Sequence, residues 1–241
     1  MRLIFIRHGD PDYEKDSVTE KGEREIELLA DKLEGEKITA FYLSPKGRAQ
    51  KTAHATLSRL GREGVTLGWL KEFTAPVRLP ETGEEHLIWD FMPSFMERYP
   101  QLYSAEEWMS VPFIADSDVP RAYEEVCGGV DELLAAHGYR RRVLDYAAER
   151  PNRDTLVFFC HFGATCIVLS HLFNMSPVAL LQHFAAAPTS VTTLYTEERE
   201  KGIASFRCAS YGDISHLYVA KEPPAFSGRF CETFDCADER H

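Results

Sequence analysis

Leu3-Ile4-Phe5-Ile6-Arg7-His8-Gly9 opens the chain with four apolar residues, a cation, an imidazole and a glycine. A short apolar run with no polar position reads as a central strand of a parallel sheet, covered on both faces. Its abrupt end matters as much as its interior. Open parallel sheets present ligands beyond the carboxyl ends of their strands. Arg7 and His8 are therefore delivered to the rim where chemistry takes place.

Outward from that strand, the pattern repeats. Thr19 suits a helix cap, and Ile26, Leu29, Ala30 and Leu33 recur at helical spacing behind it. Ala40-Phe41-Tyr42-Leu43 is a second strand, with Ser44 placed as an N-cap and Pro45 as the first helical residue of a helix running to Leu60. Val65 to Leu70 reads as a third strand, followed by Glu72. A helical region around Val126 to His137 is expected to break at Gly128-Gly129. Leu156 to Cys160 is another apolar strand, leading through His161-Phe162-Gly163 into a helix to Phe173. Val191–Thr196 and Ile203–Cys208 form late strands, paired as a hairpin. Strands alternating with helices predict an α/β protein with a mostly parallel sheet. The expected organisation is one domain over residues 1–220, with an insertion at about 73–119 and a tail at 221–241.

Composition limits the partners. At 241 residues and 44% hydrophobic content, the chain can bury a substantial core. A net charge of −11 argues against non-specific binding to nucleic acid or to an anionic membrane surface. No apolar run has the length of a membrane span or of a signal-peptide core, so the expected location is the cytoplasm. The six cysteines are scattered and read as thiols in a reducing compartment; Cys231 and Cys236 could form only half of a metal site.

Five side chains then converge on one rim of the sheet: Arg7 and His8 after the first strand, Arg48 beside the second, Glu72 after the third, and His161 after the strand at Leu156. Two guanidinium groups can grip a phosphoryl group through paired hydrogen bonds. A neutral imidazole can attack phosphorus, and a second imidazole, if protonated, can stabilise charge on the transferring oxygens. A carboxylic acid with a raised pKa can protonate a leaving alkoxide. Such alignment needs no metal and no organic cofactor. Glu81, Glu84, Glu85 and Asp90 in the insertion are alternatives to Glu72 as the acid. The insertion is expected to act as a lid whose carboxylates repel a second phosphate.

Arg7-His8-Gly9, Leu43-Ser44-Pro45 with Arg48-Ala49 and Thr52-Ala53, and His161-Phe162-Gly163 together resemble the histidine phosphatase superfamily, the phosphoglycerate mutase-like proteins. The likeness runs from residue 1 to about 220. It implies a three-layer sandwich with helices on both faces of the sheet. It further implies that His8 becomes phosphorylated, that Arg7, Arg48 and His161 bind the phosphoryl group, and that Glu72 donates the proton. The implied activity is that of a phosphomonoester hydrolase of the histidine acid phosphatase type, acting on a small phosphorylated substrate. A phosphoglycerate-type mutase and a silent phospho-ligand-binding member are the alternatives. The sequence departs from the family pattern at Asp10-Pro11-Asp12-Tyr13-Glu14, where a phosphate-contacting amide is missing. That departure weighs against mutase activity.

Overall fold

The computed structural model describes residues 1–227 and 232–235. Eight strands build one sheet: β1 (Arg2–Arg7), β2 (Ala40–Leu43), β3 (Val65–Thr66), β4 (Tyr139–Arg141), β5 (Tyr146–Ala148), β6 (Thr155–Cys160), β7 (Val191–Glu200) and β8 (Ile203–Asp213). Their spatial order is β3-β2-β6-β1-β7-β8-β5-β4. The first four run parallel, but β7 pairs antiparallel with β1, β8 with β7, β5 with β8, and β4 with β5. The sheet is therefore mixed, not mostly parallel. The β7–β8 hairpin lies directly beside β1, so its strands need no crossover helix and run in opposite senses.

Alternate residues of β1 feed two cores. Leu3 and Phe5 join one hydrophobic cluster, with the Phe5 ring stacked on Phe158 of β6 at 4.6 Å. Ile4 and Ile6 join the other, with Val157 and Phe159. The second core takes Leu29 and Leu33 from helix α1 (Glu20–Glu34) and Ala53 from α2 (Gly47–Leu60). The first takes Val126, Val130 and Leu134 from α3 (Val119–Ala136) and Ile167 to Leu169 from α4 (Phe162–Phe173). Each such side chain, fully removed from water, contributes roughly 1.5–3 kcal/mol. Among the described residues no helix is long and apolar enough to cross a membrane.

Thr19 caps α1 as expected, its hydroxyl accepting from the Gly22 amide. Three other expectations fail. The N-cap of α2 is Lys46, not Ser44, whose hydroxyl is engaged elsewhere. Only Val65–Thr66 of the third strand pairs; Gly68–Leu70 coils into a 3-10 turn that buries Leu70. Helix α3 runs unbroken through Gly128-Gly129, because Gly129 is where the Trp69 ring packs. A Cβ there would sit 2.3 Å from Trp69 Cδ1.

The insertion is a short hairpin, Pro76–Arg78 with Glu85–Leu87, followed by short helical turns. Its Phe91, Phe95 and Trp108 are buried in the same cluster as the sheet residues. Cys127, Cys160, Cys166 and Cys208 are free thiols; Cys231 and Cys236 lie outside the described residues.

Candidate active site

The carboxyl end of β1 is pinned from three sides. The His8 amide donates to the Cys160 carbonyl, the Thr189 amide donates to the Arg7 and His8 carbonyls, and the Gly9 amide donates to Thr52 Oγ1. Thr52 Oγ1 in turn donates to the Arg48 carbonyl, tying the loop to α2. His8 Nδ1 lies 2.8 Å from the Gly9 carbonyl oxygen. A carbonyl can only accept, so Nδ1 carries the hydrogen and Nε2 keeps its lone pair. His8 is 1% exposed. Burial first, then the neighbouring Arg7, pushes its pKa down to about 3, which keeps the ring neutral.

The His161 ring stands 5.2 Å from the His8 ring, tilted by 59°. Its Nε2 lies 2.7 Å from Ser44 Oγ. The Lys46 amide donates to the same Ser44 oxygen. Where the Ser44 hydroxyl gives its one hydrogen to His161 Nε2, the His161 proton sits on Nδ1. The Ser44 of the apparent helix cap is thus a support for His161. Burial, then His8 and Arg48, lowers the His161 pKa to about 2. In this resting site His161 is neutral, not protonated, yet Nδ1 still presents an N–H.

Arg48 is buried and donates from Nη1 to Asp16 Oδ1 at 2.7 Å, while Asp16 Oδ2 accepts from the Gly47 amide at 2.8 Å. Burial alone would raise the Asp16 carboxyl; the Gly47 amide and Arg48 outweigh it and hold the pKa below its usual value. Asp16 has φ of +45°, a left-handed conformation that aspartate tolerates better than most residues. Arg7 donates from Nη1 to the Ala186 and Ser227 carbonyls. Among the described residues, four buried side-chain nitrogens have no hydrogen-bond partner: Arg7 Nε, Arg48 Nε and His161 Nδ1 in this cluster, and His216 Nδ1. Three unpaired donors in one buried cluster are costly unless an anion completes them.

Glu72 Oε1 accepts from the Phe73 amide at 2.9 Å and the Ala164 amide at 3.2 Å. Burial raises its pKa, against the opposing pull of those amides and Arg7. Because both amides use Oε1, Oε2 is the oxygen left free to carry a proton. Glu72 and Arg7 open onto a cavity of about 380 Å³, with Tyr13, Trp89 and Phe162 among its other walls. His8, His161 and Arg48 are buried and not among the residues lining it, but Arg7 and Arg48 are close enough to lower the pKa of both histidines.

All five residues read from the sequence therefore meet in one place. The alternatives to Glu72 do not: Glu81 pairs with Arg98, Glu85 with Arg78, Glu84 faces His86, and Asp90 lines a separate groove. The acidic hairpin does not line the cavity, so it cannot repel a second phosphate as expected. Sequence reasoning also missed Asp16, whose only signal was an acidic residue in a polar turn, and the tail. The Ser227 hydroxyl bonds Asp10, and the Ala225 amide donates to Glu25 Oε1. His216 lies 3.0 Å from Thr189 Oγ1 and so backs the residue whose amide holds the Arg7 and His8 carbonyls.

Residues 3–78 match the model of the histidine phosphatase superfamily, branch 1. No curated protein matches the chain in sequence. Among solved structures, a variant of the phosphoserine phosphatase of Entamoeba histolytica in complex with phosphoserine is 20% identical, with a TM-score of 0.58 over 90% of this chain and 98% of that one. The same enzyme with 3-phosphoglyceric acid gives 20% identity and a TM-score of 0.57 over the same shares. A mycobacterial glucosyl-3-phosphoglycerate phosphatase is 20% identical, with a TM-score of 0.56 over 88% of this chain and 98% of that one. Residues 3–78 thus resemble the histidine phosphatase superfamily, and the solved structures share the fold around them.

Proposed function

We propose that the chain is a metal-independent phosphomonoester hydrolase, of the histidine acid phosphatase type, that works through a phosphohistidine at His8. The observation that carries this reading is the pairing of a neutral His8, its Nε2 lone pair free, with three unpaired buried donors on Arg7, Arg48 and His161. The donors fit three oxygens of a phosphoryl group, and the lone pair fits the phosphorus.

In the first step His8 Nε2 forms a bond to phosphorus and the bond to the ester oxygen breaks. The proton on Glu72 Oε2 passes to the departing alkoxide. In the second step the Glu72 carboxylate takes a proton from water, the water oxygen attacks phosphorus, and the N–P bond breaks. Inorganic phosphate leaves, and both groups return to their resting states. Among the described residues, Arg7 is the only permanent cation on the cavity wall. That supports hydrolysis over a mutase reaction, which must hold a bisphosphate.

The test is labelling. A ³²P-labelled monoester should leave acid-labile, base-stable label on the wild-type protein and none on His8→Ala, whose turnover should fall by at least about 10³-fold, as for loss of a nucleophile acting in a unit. Activity should survive chelator and dialysis. Label retained by a folded His8→Ala would remove His8 as the nucleophile.

A further inference from the structure

Besides Arg7, Tyr13, Glu72, Gln182 and His183, the cavity wall is apolar. Trp89, Phe162, Leu181 and Phe184 line it. Each is fixed by the fold. Phe162 is the first residue of α4, directly after His161. Trp89 follows the insertion hairpin and covers the start of α4; its Cζ3 would be 3.2 Å from a Cβ on Gly163. Gln182, from the helix Pro177–His183, holds that segment by donating to the Ile88 carbonyl at 3.0 Å. Phe184 stands edge-on to Tyr211 at 4.8 Å. The cavity volume of about 380 Å³ is within the range of small-molecule sites.

The charges on this wall are sparse. Arg7 serves the phosphoryl group, and the remaining ionisable groups are Glu72, Tyr13 and His183. His183 Nε2 already faces the Tyr103 hydroxyl at 3.2 Å. A substrate carboxylate or second phosphate would lose water here without a fixed cation in return, which is unfavourable. A ring would instead meet aromatic faces and exclude water from them.

We infer that the leaving alcohol of the substrate is uncharged and carries an aromatic or similarly large apolar group, taken up by Trp89, Phe162 and Phe184. This rests on the hydrolase reading of the same site, and it names the substrate class within it. It also gives the preference for monophosphates a cause other than an acidic lid: the described wall residues include no second lysine or arginine.

The experiment compares kcat/KM for four phosphates of primary alcohols, so that leaving-group reactivity does not decide the order. They are 2-(1-naphthyl)ethyl phosphate, ethyl phosphate, O-phosphoserine and 3-phosphoglycerate, with p-nitrophenyl phosphate run in parallel. The naphthylethyl ester should exceed each of the other three by at least about tenfold, roughly 1.4 kcal/mol. Trp89→Ala and Phe184→Ala should each cut the naphthylethyl-to-ethyl ratio at least about fivefold. Phe184 is 41% exposed, so its truncation spares the core and keeps the test readable if Trp89→Ala misfolds. A preference below tenfold, or a ratio unmoved in the folded variants, overturns the inference and leaves hydrolysis standing. No turnover of any compound, p-nitrophenyl phosphate included, overturns the hydrolase reading and the inference together.

Discussion

Gly163→Ala is a single methyl group placed against the proposed proton donor. The added Cβ would sit 2.6 Å from Glu72 Oε1, 3.2 Å from Trp89 Cζ3 and 3.4 Å from Phe73 Cβ. To reach an ordinary contact of about 3.4 Å, the carboxyl must withdraw by about 0.8 Å. The Ala164 amide bond, already 3.2 Å, is then lost, and Oε2 leaves its position beside the ester oxygen. A displacement near 1 Å at a reacting group costs on the order of 10²-fold in rate, or about 2.7 kcal/mol. Stability should change little. Alanine is worth roughly 0.8–1 kcal/mol over glycine in a helix, which offsets moving the far end of a flexible side chain.

The assay is kcat/KM, which reports the transfer of phosphoryl to His8, on two substrates. An alkyl phosphate needs a proton on its leaving oxygen, whereas p-nitrophenolate leaves without one. Gly163→Ala should therefore lower kcat/KM by on the order of 10²-fold on the alkyl ester and by less than about tenfold on the aryl ester. Glu72→Gln should show the same split. Equal losses on both esters would refute the reasoning, because they would mean a general distortion and not a displaced acid.

Asp16→Asn keeps a residue that tolerates the left-handed backbone but can serve only one of Arg48 and the Gly47 amide. It should lower kcat/KM about tenfold and weaken inhibition by inorganic phosphate, in line with about 1–2 kcal/mol for a lost charge-assisted bond; tighter phosphate binding would show that Asp16 competes for Arg48 and does not hold it. Glu25 is fully buried, accepts from the Asp10 and Ala225 amides, and has its pKa raised from 4.5 to about 7, chiefly by burial. A raised folded-state pKa gives stability that is complete below about 4.5 and is lost as pH rises through about 7, by up to about 3 kcal/mol. Urea midpoints between pH 4.5 and 7.5 should fall more steeply in wild type than in Glu25→Gln, and parallel slopes would contradict this.

Arg7, His8 and His161 of the candidate site were legible because they end or directly follow buried strands. Apolar runs at Leu3–Ile6, Ala40–Leu43 and Leu156–Cys160 mark strands without ambiguity, and whatever follows each one lies on the rim. The antiparallel half of the sheet was hidden for the opposite reason. Tyr139–Arg141 and Tyr146–Ala148 are three residues each, too short for any period, and owe their pairing to the β7–β8 hairpin. Ser44-Pro45 reads as a helix start on local chemistry alone, yet a tertiary contact with His161 claims the serine. Gly128-Gly129 reads as a break because the Trp69 ring that needs the space is about sixty positions away. The carboxylates of the hairpin carry no mark separating surface pairs with Arg78 and Arg98 from groups over a pocket. Contacts between distant segments decide all of these, and periodicity records only near ones.

A single physical cause prepares both proposed partners of the reaction. Removing an ionisable group from water disfavours its charged form, whichever sign that charge has. Burial is the largest influence on His8, where it lowers the pKa to about 3, and on Glu72, where it raises the pKa. A nucleophile must be unprotonated and an acid must be protonated, so one dry cluster sets both, as in other sites that hold an acid and a base side by side. The charge that remains belongs to Arg7 and Arg48, reduced by Asp16. An arriving phosphoryl dianion then meets a net positive cluster with unpaired N–H groups on both guanidinium nitrogens and on His161 Nδ1. Its own charge would draw the His161 pKa upward from about 2, strengthening that contact as negative charge gathers on the transferring oxygens. The Ser227 carbonyl, which holds Arg7 Nη1 in the resting site, leaves Nε to make this contact, so the tail and the substrate need not compete for the same nitrogen.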